Sequence, residues 1–288
     1  MRVSILTLLL LLNLLPVYEA SSQKLPKLGM IAPIDRDSLL HASGFSFLGE
    51  SVGRMLSPSL TEAEFRSNLE KIKATKTKVY VCNVLFPGSI KIAGPEVDEE
   101  RVLGYLDTVF RRASQADIPV IVLGSGGSRR LPDNYDTALA KKDFAALARR
   151  MAGVARKHGI TIAIENLNST ETNFLNTLQD AAEVVRSVDH PNFRLNADIY
   201  HMLKENEPPQ HIRDAGDIIV YVEVAEKAER TLPGVVGDDF RPYFRALKEI
   251  GYKGPLFIEG RVNNPETEIP FAAGYLKKQL REAYAKGK

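Results

Sequence analysis

Four acidic residues stand at the ends of short apolar segments whose composition is typical of buried β-strands. They are Glu165, Asp198, Glu223 and Glu259. The segment before Glu165 reads Ile160-Thr-Ile-Ala-Ile, and its β-branched residues favour a strand. In parallel α/β sheets and barrels, the carboxyl ends of the strands meet on one face. We therefore expect the four carboxylates to converge, with Glu50 and Asn83 from two earlier strands on the same face.

Carboxylates crowded in this way repel one another and raise each other's pKa values unless a cation lies among them. Oxygen donors suit a hard divalent ion, so the pattern indicates Mn²⁺ or Mg²⁺, with Ca²⁺ also possible. The alternative interpretation is that single acids cap helices in the loops that follow the strands. Capping explains any one of these acids better than it explains all four together.

The elements that must position these acids alternate regularly along the chain. The pattern predicts strands over residues 27–32, 44–50, 79–84, 118–124, 160–165, 193–198, 218–223 and 255–259. Between and after them it predicts helices over residues 35–42, 61–72, 99–116, 141–157, 176–188, 210–215, 239–250 and 267–285. Such alternation favours a single (β/α)8 TIM barrel, and a doubly wound sheet with a helical tail is the alternative.

The first residues have the pattern of a secretory signal peptide. A short basic start precedes an apolar run over residues 5–15, and small residues follow near Ala20 and Ser22. The run is short for a transmembrane span, although an uncleaved anchor is the alternative. We expect a signal peptide over residues 1–22 and a barrel domain over residues 23–288. The protein would then be exported, periplasmic or extracellular, with no stable membrane span after cleavage.

Composition excludes several other classes of protein. The net charge is +2 with both signs mixed, which argues against a nucleic-acid partner. The single cysteine, Cys82, excludes an intramolecular disulfide, and its apolar strand predicts a buried side chain. Arg129 and Arg130 follow a glycine-rich loop, where they could hold a phosphate or sugar hydroxyls or could simply be solvated.

Several motifs resemble those of the xylose isomerase-like TIM-barrel superfamily. They are Ile164-Glu165-Asn-Leu-Asn-Ser-Thr-Glu171, Asp198-Ile-Tyr-His201, Arg230-Thr-Leu-Pro-Gly234 and Gly251-Tyr-Lys-Gly-Pro-Leu-Phe-Ile-Glu259. The resemblance covers nearly the whole chain after the signal segment. It is strongest to the sugar phosphate isomerase/epimerase group, which includes D-tagatose 3-epimerase and the ketose 3-epimerases. A small carbohydrate substrate and a possible homo-oligomer are implied.

The resemblance also implies roles for single residues. By position, the metal ligands are Glu165, Asp198, Glu223 and Glu259, and the substrate-binding residues are Glu171, His201 and Arg230. Glu165 and Glu259 would in addition form the catalytic acid/base pair. Such a pair removes a proton next to a carbonyl on one face of a keto-sugar and returns it on the other.

This chain departs from the resembling family at Glu223. The family has a histidine at the corresponding strand end, and here one extra residue separates that position from Arg230. An all-oxygen ligand set fits Mn²⁺, Mg²⁺ or Ca²⁺ better than Zn²⁺. The departure leaves open a catalytically degenerate carbohydrate-binding barrel. Because the same proton abstraction also permits elimination, a lyase or hydratase acting on 3-keto-glycosides is a second alternative. The endonuclease branch of the superfamily is disfavoured, since the chain has five histidines and a net charge of only +2.

Overall fold

The computed structural model describes residues 24–285, so the predicted signal peptide over residues 1–22 lies outside the described residues. Eight parallel strands form a closed barrel in sequence order. The strands are β1 Leu28–Ile31, β2 Phe47–Ser51, β3 Lys78–Asn83, β4 Val120–Leu123, β5 Thr161–Glu165, β6 Phe193–Asp198, β7 Ile219–Val224 and β8 Leu256–Ile258. Because β1 pairs with both β2 and β8, the sheet has no edge. The predicted (β/α)8 TIM barrel is confirmed, and the doubly wound alternative is wrong.

The helices surround the barrel and connect successive strands. They are α1 Asp37–Ala42, α2 Val52–Met55, α3 Glu62–Ala74, α4 Glu99–Gln115, α5 Gly126–Arg129, α6 Thr137–Lys157, α7 Leu178–Val188, α8 Ile199–Lys204, α9 Gln210–Ala215, α10 Arg241–Glu249 and α11 Pro265–Tyr284, with 3-10 turns at Ile34–Arg36 and Gly216–Ile218. All eight predicted helices are present, with ends shifted by a few residues. The short helices α2, α5 and α8 were not predicted, because segments of four to six residues carry no helical periodicity.

Side-chain caps explain where two of the helices begin. At α3 the Thr61 hydroxyl accepts from the Glu64 backbone N–H and the Glu64 carboxylate accepts from the Thr61 N–H, so the helix begins with a capping box. Helix α6 begins four residues before the predicted start because the Asp136 carboxylate accepts from the backbone N–H groups of Ala138 and Leu139.

The barrel interior is filled by a few large side chains that need room from their neighbours. Phe257 on β8 packs inside with Tyr221, and their ring centroids lie 4.9 Å apart. Any side chain at Gly29 or Gly49, on the facing strands β1 and β2, would collide with neighbours that include the Phe257 ring. The absence of a side chain at these two positions therefore leaves room for the Phe257 ring inside the barrel, below the carboxyl ends of the strands.

The single cysteine lies in this framework as predicted. Cys82 on β3 is fully buried and free, and burial raises the pKa of its thiol well above the usual range. It is a core residue, not a nucleophile. Along residues 24–285, no helix combines the length and the apolar character needed to cross a bilayer.

Candidate active site

The four acids singled out by the sequence come together at the carboxyl ends of the strands. One carboxylate oxygen from each of Glu165, Asp198, Glu223 and Glu259 lies within 4.8 Å of the others. We call these four residues the carboxylate cluster. Glu165 ends β5, Asp198 ends β6, Glu223 is the penultimate residue of β7 and Glu259 directly follows β8. The expected convergence is confirmed, whereas the chemical roles of the four acids stay predictions.

Asp198 both caps a helix and belongs to the carboxylate cluster, the two interpretations that the sequence left open. Its Oδ1 atom caps α8, accepting from the backbone N–H groups of Tyr200 at 2.7 Å and His201 at 3.3 Å. Its Oδ2 atom is buried and has no hydrogen-bond partner within the part of the chain that the structure describes. A buried oxygen of this kind is a costly arrangement unless a ligand or cation satisfies it.

Glu223 is held within the cluster by the two strands that carry it. A register shift between Leu195 and Asn196 on β6 places Asp198 directly opposite Glu223. The Asn196 amide donates to Oε2 of Glu223 at 2.5 Å, and the Tyr221 hydroxyl donates to Oε1 at 3.2 Å. The side chain is fully buried. Glu223 therefore stands at the cluster in a fixed orientation, where the resembling family has histidine.

Glu259 is paired with Arg230, which follows β7. The Arg230 guanidinium donates to Oε2 of Glu259 at 2.5 Å through Nη2 and to its backbone carbonyl at 3.1 Å through Nε. The Asn83 amide donates to the other oxygen of Glu259. Arg230 also lies 3.5 Å from Glu171 and stacks over the Tyr200 ring at 4.7 Å from the centroid. The predicted substrate-binding residues Glu171 and Arg230 thus adjoin the cluster, and Glu171 faces solvent.

The expectation for Glu50 is wrong, although it too ends a strand. Its two oxygens accept from the backbone N–H groups of Ile34 at 2.9 Å and Ser51 at 3.0 Å, and Arg54 lies 3.3 Å away. These contacts direct the carboxylate toward the loop after β1 and helix α2. Glu50 therefore fixes backbone and does not belong to the cluster.

Burial and mutual repulsion raise the pKa values of carboxyl groups in the cluster. Burial raises the pKa of Glu165 and of Glu223 well above the usual range, and the neighbouring carboxylates raise both further. Burial also raises the pKa of Glu259, although the Arg230 guanidinium partly offsets it. Although burial opposes it, the surrounding carboxylates raise the pKa of Arg230, which stays charged.

These shifts predict how the stability of the metal-free protein depends on pH. A carboxyl group whose pKa is higher in the folded state binds protons more strongly there than in the unfolded state, where the glutamate value is 4.5. The free energy of unfolding should therefore fall as pH rises from 4.5 through the raised values. Urea denaturation in the presence of chelator, from about pH 5 to about pH 8, measures this slope. A stability that rises over this range would contradict the electrostatic description.

The Nε2 atom of His201 lies beside the cluster and has no hydrogen-bond partner among the described residues. The Asn168 backbone N–H donates to Nδ1 of the ring at 3.1 Å, so that nitrogen must carry a lone pair. Burial lowers the pKa of His201, which favours the neutral ring with its proton on Nε2. Nε2 lies 3.2 Å from Oε1 of Glu165 and 3.5 Å from Oδ2 of Asp198. A protonated Nε2 cannot bind a metal, so His201 is suited to donate to a substrate oxygen, as the resemblance implies.

The donor set fits a divalent cation. Four buried or half-buried carboxylates supply oxygen ligands, and Oδ2 of Asp198 has no hydrogen-bond partner among the described residues. Two guanidinium groups, Arg129 and Arg230, interact electrostatically with Glu165. They offset only part of the negative charge that the four acids and the adjoining Glu171 carry when ionised, and a divalent cation would offset more of it. The cluster is thus a possible metal site made of oxygen atoms.

Arg129 fits neither alternative that the sequence offered for it. Its side chain is fully buried, and Nη1 donates to the backbone carbonyl of Glu165 at 2.7 Å. Burial lowers its pKa to about 10, although Glu165 and Glu171 oppose the shift. A side chain at Gly124 would collide with the Glu165 carboxylate. Glycine and arginine from the loop after β4 therefore set the position of the glutamate on β5. The neighbouring Arg130 donates to the backbone carbonyl of Glu171 at 2.8 Å.

Glu226 organises the loop that follows Arg230, and sequence reasoning missed it. Its buried carboxylate accepts from the backbone N–H groups of Gly234 at 2.7 Å, Val236 at 2.6 Å and Gly237 at 2.8 Å, and from the Thr231 hydroxyl at 2.9 Å. The sequence feature that could have revealed it is a glutamate shortly before a Pro-Gly loop, whose backbone N–H groups need hydrogen-bond acceptors.

Replacing Glu226 by Gln should destabilise the protein by about 3 kcal/mol, because the new amide N–H group faces backbone donors in a buried site. Urea denaturation measures the change. Glu229→Gln is the matched control, since that glutamate lies in the same connection but is exposed. Equal stability of the two variants would show that the Glu226 carboxylate does not hold the loop.

Comparison with known proteins places this geometry in a family. A model of the xylose isomerase-like TIM barrel family matches residues 39–279. The L-ribulose 3-epimerase of Methylomonas sp. (strain DH-1) is 37% identical over 120 residues, which cover 41% of this chain and 42% of that protein. The ketose 3-epimerase of Arthrobacter globiformis is 34% identical over 124 residues, which cover 43% of each protein. The alignments thus span less than half the length of these two relatives.

A solved structure agrees at the level of the fold. The 3-keto-D-glucoside 4-epimerase from E. coli, in its apo form, has a TM-score of 0.74 and 20% identity, over 88% of this chain and 99% of that one. The family match covers most of the chain, and the closed eight-stranded barrel agrees with it. The chain therefore belongs to the xylose isomerase-like TIM barrel family.

Proposed function

We propose that the protein is a divalent-metal-dependent isomerase or epimerase that acts on a free sugar or keto-sugar. The observation that carries this proposal is the placement of Glu165 and Glu259. These acids come from β5 and from the end of β8, on different sides of the barrel mouth, and both reach the carboxylate cluster. The relatives named as sugar epimerases support it.

The reaction requires one carboxylate on each face of the reacting carbon. One of Glu165 and Glu259 removes the proton from the carbon next to the carbonyl. The electron pair of the broken C–H bond forms a carbon–carbon double bond, and the carbonyl oxygen takes the negative charge. The other glutamate, protonated, then delivers a proton to the opposite face.

Other residues of the site bind and orient the sugar. His201 Nε2–H and the Arg230 guanidinium are donors for substrate oxygens, and Glu171 beside Arg230 is an acceptor for a hydroxyl. Glu165, Asp198, Glu223 and Glu259 would hold the ion, which supplies positive charge for the enediolate oxygens. The oxygen donors favour Mn²⁺ or Mg²⁺, with Ca²⁺ as a further candidate.

The proposal also includes the compartment in which the protein meets its substrate. The signal-like residues 1–22 support export to the periplasm or the outside of the cell. An exported enzyme would meet unphosphorylated sugars, and the mixed surface charge does not favour a nucleic-acid partner. A homo-oligomer is proposed by analogy with the family alone.

The test uses protein stripped with chelator and reloaded separately with Mn²⁺, Mg²⁺, Ca²⁺ or Zn²⁺. A panel of free ketoses, aldoses and their keto derivatives is then followed by NMR. We expect turnover with Mn²⁺ or Mg²⁺, and a rise in thermal stability with the same ions. Failure of every ion to stabilise the protein, together with no turnover, would reject the proposal.

A further inference from the structure

A large cavity lies beside the carboxylate cluster. Its volume is about 790 Å³, and its walls come from the loop after β2, the loop after β3 and the first turns of helix α4. None of the residues discussed above as metal ligands or substrate-binding residues lines it. The proposed reaction does not use this cavity.

The cavity adjoins a strand end that contacts the cluster. Two of its lining residues, Ser51 and Val84, directly follow Glu50 and Asn83 in the chain. Ser51 and Asn83 are paired across β2 and β3, and the Asn83 amide donates to Glu259. The cavity therefore starts one residue beyond a group that holds one of the proposed bases, which is ~3.3 Å along a strand. The cavity is therefore within reach of a substituent on a sugar seated at the cluster.

The exposed lining is mostly apolar, although four serines, Arg101 and Tyr105 also contribute to it. Val84 is 51% exposed at the rim and has a φ of 54°, a left-handed conformation that is strained for a β-branched residue. Pro58, Pro87 and Tyr105 form further walls. Among the lining serines, the hydroxyls of Ser57 and Ser59 are already bonded to each other at 2.8 Å. Such walls suit the flat face of an aromatic ring better than a second sugar, which needs many fixed polar partners.

We propose that this cavity is a subsite for the aglycone of a glycoside, and that the aglycone is aromatic. The inference rests on the proposed function, and it specifies the substrate class as keto-sugars that carry an aromatic group instead of free keto-sugars. The reacting carbon lies at the carboxylate cluster, and the aromatic ring lies between Val84 and Tyr105. Arg101, exposed at the wall from α4, accommodates a phenolic or acidic substituent on that ring.

Two glycines allow a sharp test of this subsite. Gly104 on α4 lines the cavity, and a β-carbon added there meets no atom within 4 Å. Gly104→Leu therefore fills the cavity without a clash, and leucine favours the helix. Gly274→Leu on α11 is the matched control, because Gly274 is also an exposed helical glycine with open space around it and does not line the cavity. Gly53→Leu, from the opposite wall, is a second filling variant.

The first measurement compares kcat/KM for a phenyl keto-glycoside with that for the unsubstituted keto-sugar. We expect the wild type and Gly274→Leu to prefer the glycoside, and both filling variants to lose at least tenfold of that preference. A wild type that rejects the phenyl glycoside, or filling variants that keep the preference, would overturn the subsite. A preference for a keto-disaccharide over the phenyl glycoside would overturn the aromatic assignment.

The second measurement detects binding and requires no turnover, so it tests the subsite independently of the proposed function. Saturation-transfer NMR with phenyl β-glucoside should show contact to the aromatic protons in the wild type and Gly274→Leu, and a loss of that contact in Gly104→Leu. This result without turnover of any keto-sugar would support the subsite and reject the proposed function. Absence of aromatic contact in the wild type would reject the subsite even if free keto-sugars are turned over.

Discussion

Glu165→Gln and Glu259→Gln should each lower kcat/KM by roughly 10²- to 10⁴-fold, the usual contribution of a positioned acid or base. Glutamine keeps the shape of the side chain but can neither accept nor return the proton. Each variant should still remove the proton from the epimer that faces the remaining glutamate. We therefore expect each variant to exchange deuterium into one epimer alone, and the two variants to select opposite epimers.

Two controls make this result specific. Each variant should be assayed with its metal content measured, because the same residues are proposed ligands. Glu229→Gln, exposed in the loop before Arg230, should retain wild-type rates. If Glu165→Gln and Glu259→Gln, fully loaded with metal, both keep more than a tenth of the wild-type rate, these residues are not the two bases.

Glu223→Gln should change stability in opposite directions with and without metal. In the metal-free protein, at a pH above the raised pKa of Glu223, it removes a buried charge that lies among three other carboxylates. We expect this to stabilise the folded state by roughly 2 kcal/mol or more, because an uncompensated buried charge is costly. With metal present, the loss of one ligand charge should weaken binding, so the stabilisation by Mn²⁺ or Mg²⁺ should fall.

Glu223→His is the companion variant, because it introduces the residue type of the resembling family. Imidazole suits Zn²⁺ and other transition ions better than Mg²⁺. Calorimetric titration of the wild type and the two variants should show that Mg²⁺ affinity is lost in both. Zn²⁺ affinity should rise relative to Mg²⁺ in Glu223→His alone. Unchanged affinities in both variants would mean that Glu223 is not a ligand.

The barrel and the carboxylate cluster were predictable because their signals are local. Most strands are short apolar segments, several of them rich in β-branched residues, and each of the four cluster acids stands at or directly after the end of a strand. Parallel topology then brings strand ends together whatever the intervening loops do. The same topological rule wrongly placed Glu50 with the cluster. Its carboxylate instead accepts hydrogen bonds from the backbone N–H groups of Ile34 and Ser51. Nothing in the sequence near Glu50 marks that difference.

The missed features depend on contacts between distant segments. Arg129 is buried because its guanidinium reaches the Glu165 carbonyl, 36 residues away in sequence. The proton position on His201 follows from the backbone N–H of Asn168, 33 residues away. Local composition suggested only that Arg129 was a loop cation, and the resemblance implied only that His201 binds substrate. The cavity beside β3 is likewise set by the approach of α4 to two loops, which no local pattern encodes.

Proton NMR of the metal-loaded enzyme with its keto-sugar substrate in D₂O tests the central claim most directly. Abstraction by one glutamate and return by another should place solvent deuterium on the inverted carbon of the product. An elimination product carrying a new double bond would instead identify the lyase chemistry that the same first step permits. Turnover in which the original hydrogen is kept, with no exchange in substrate or product, would contradict proton transfer by Glu165 and Glu259.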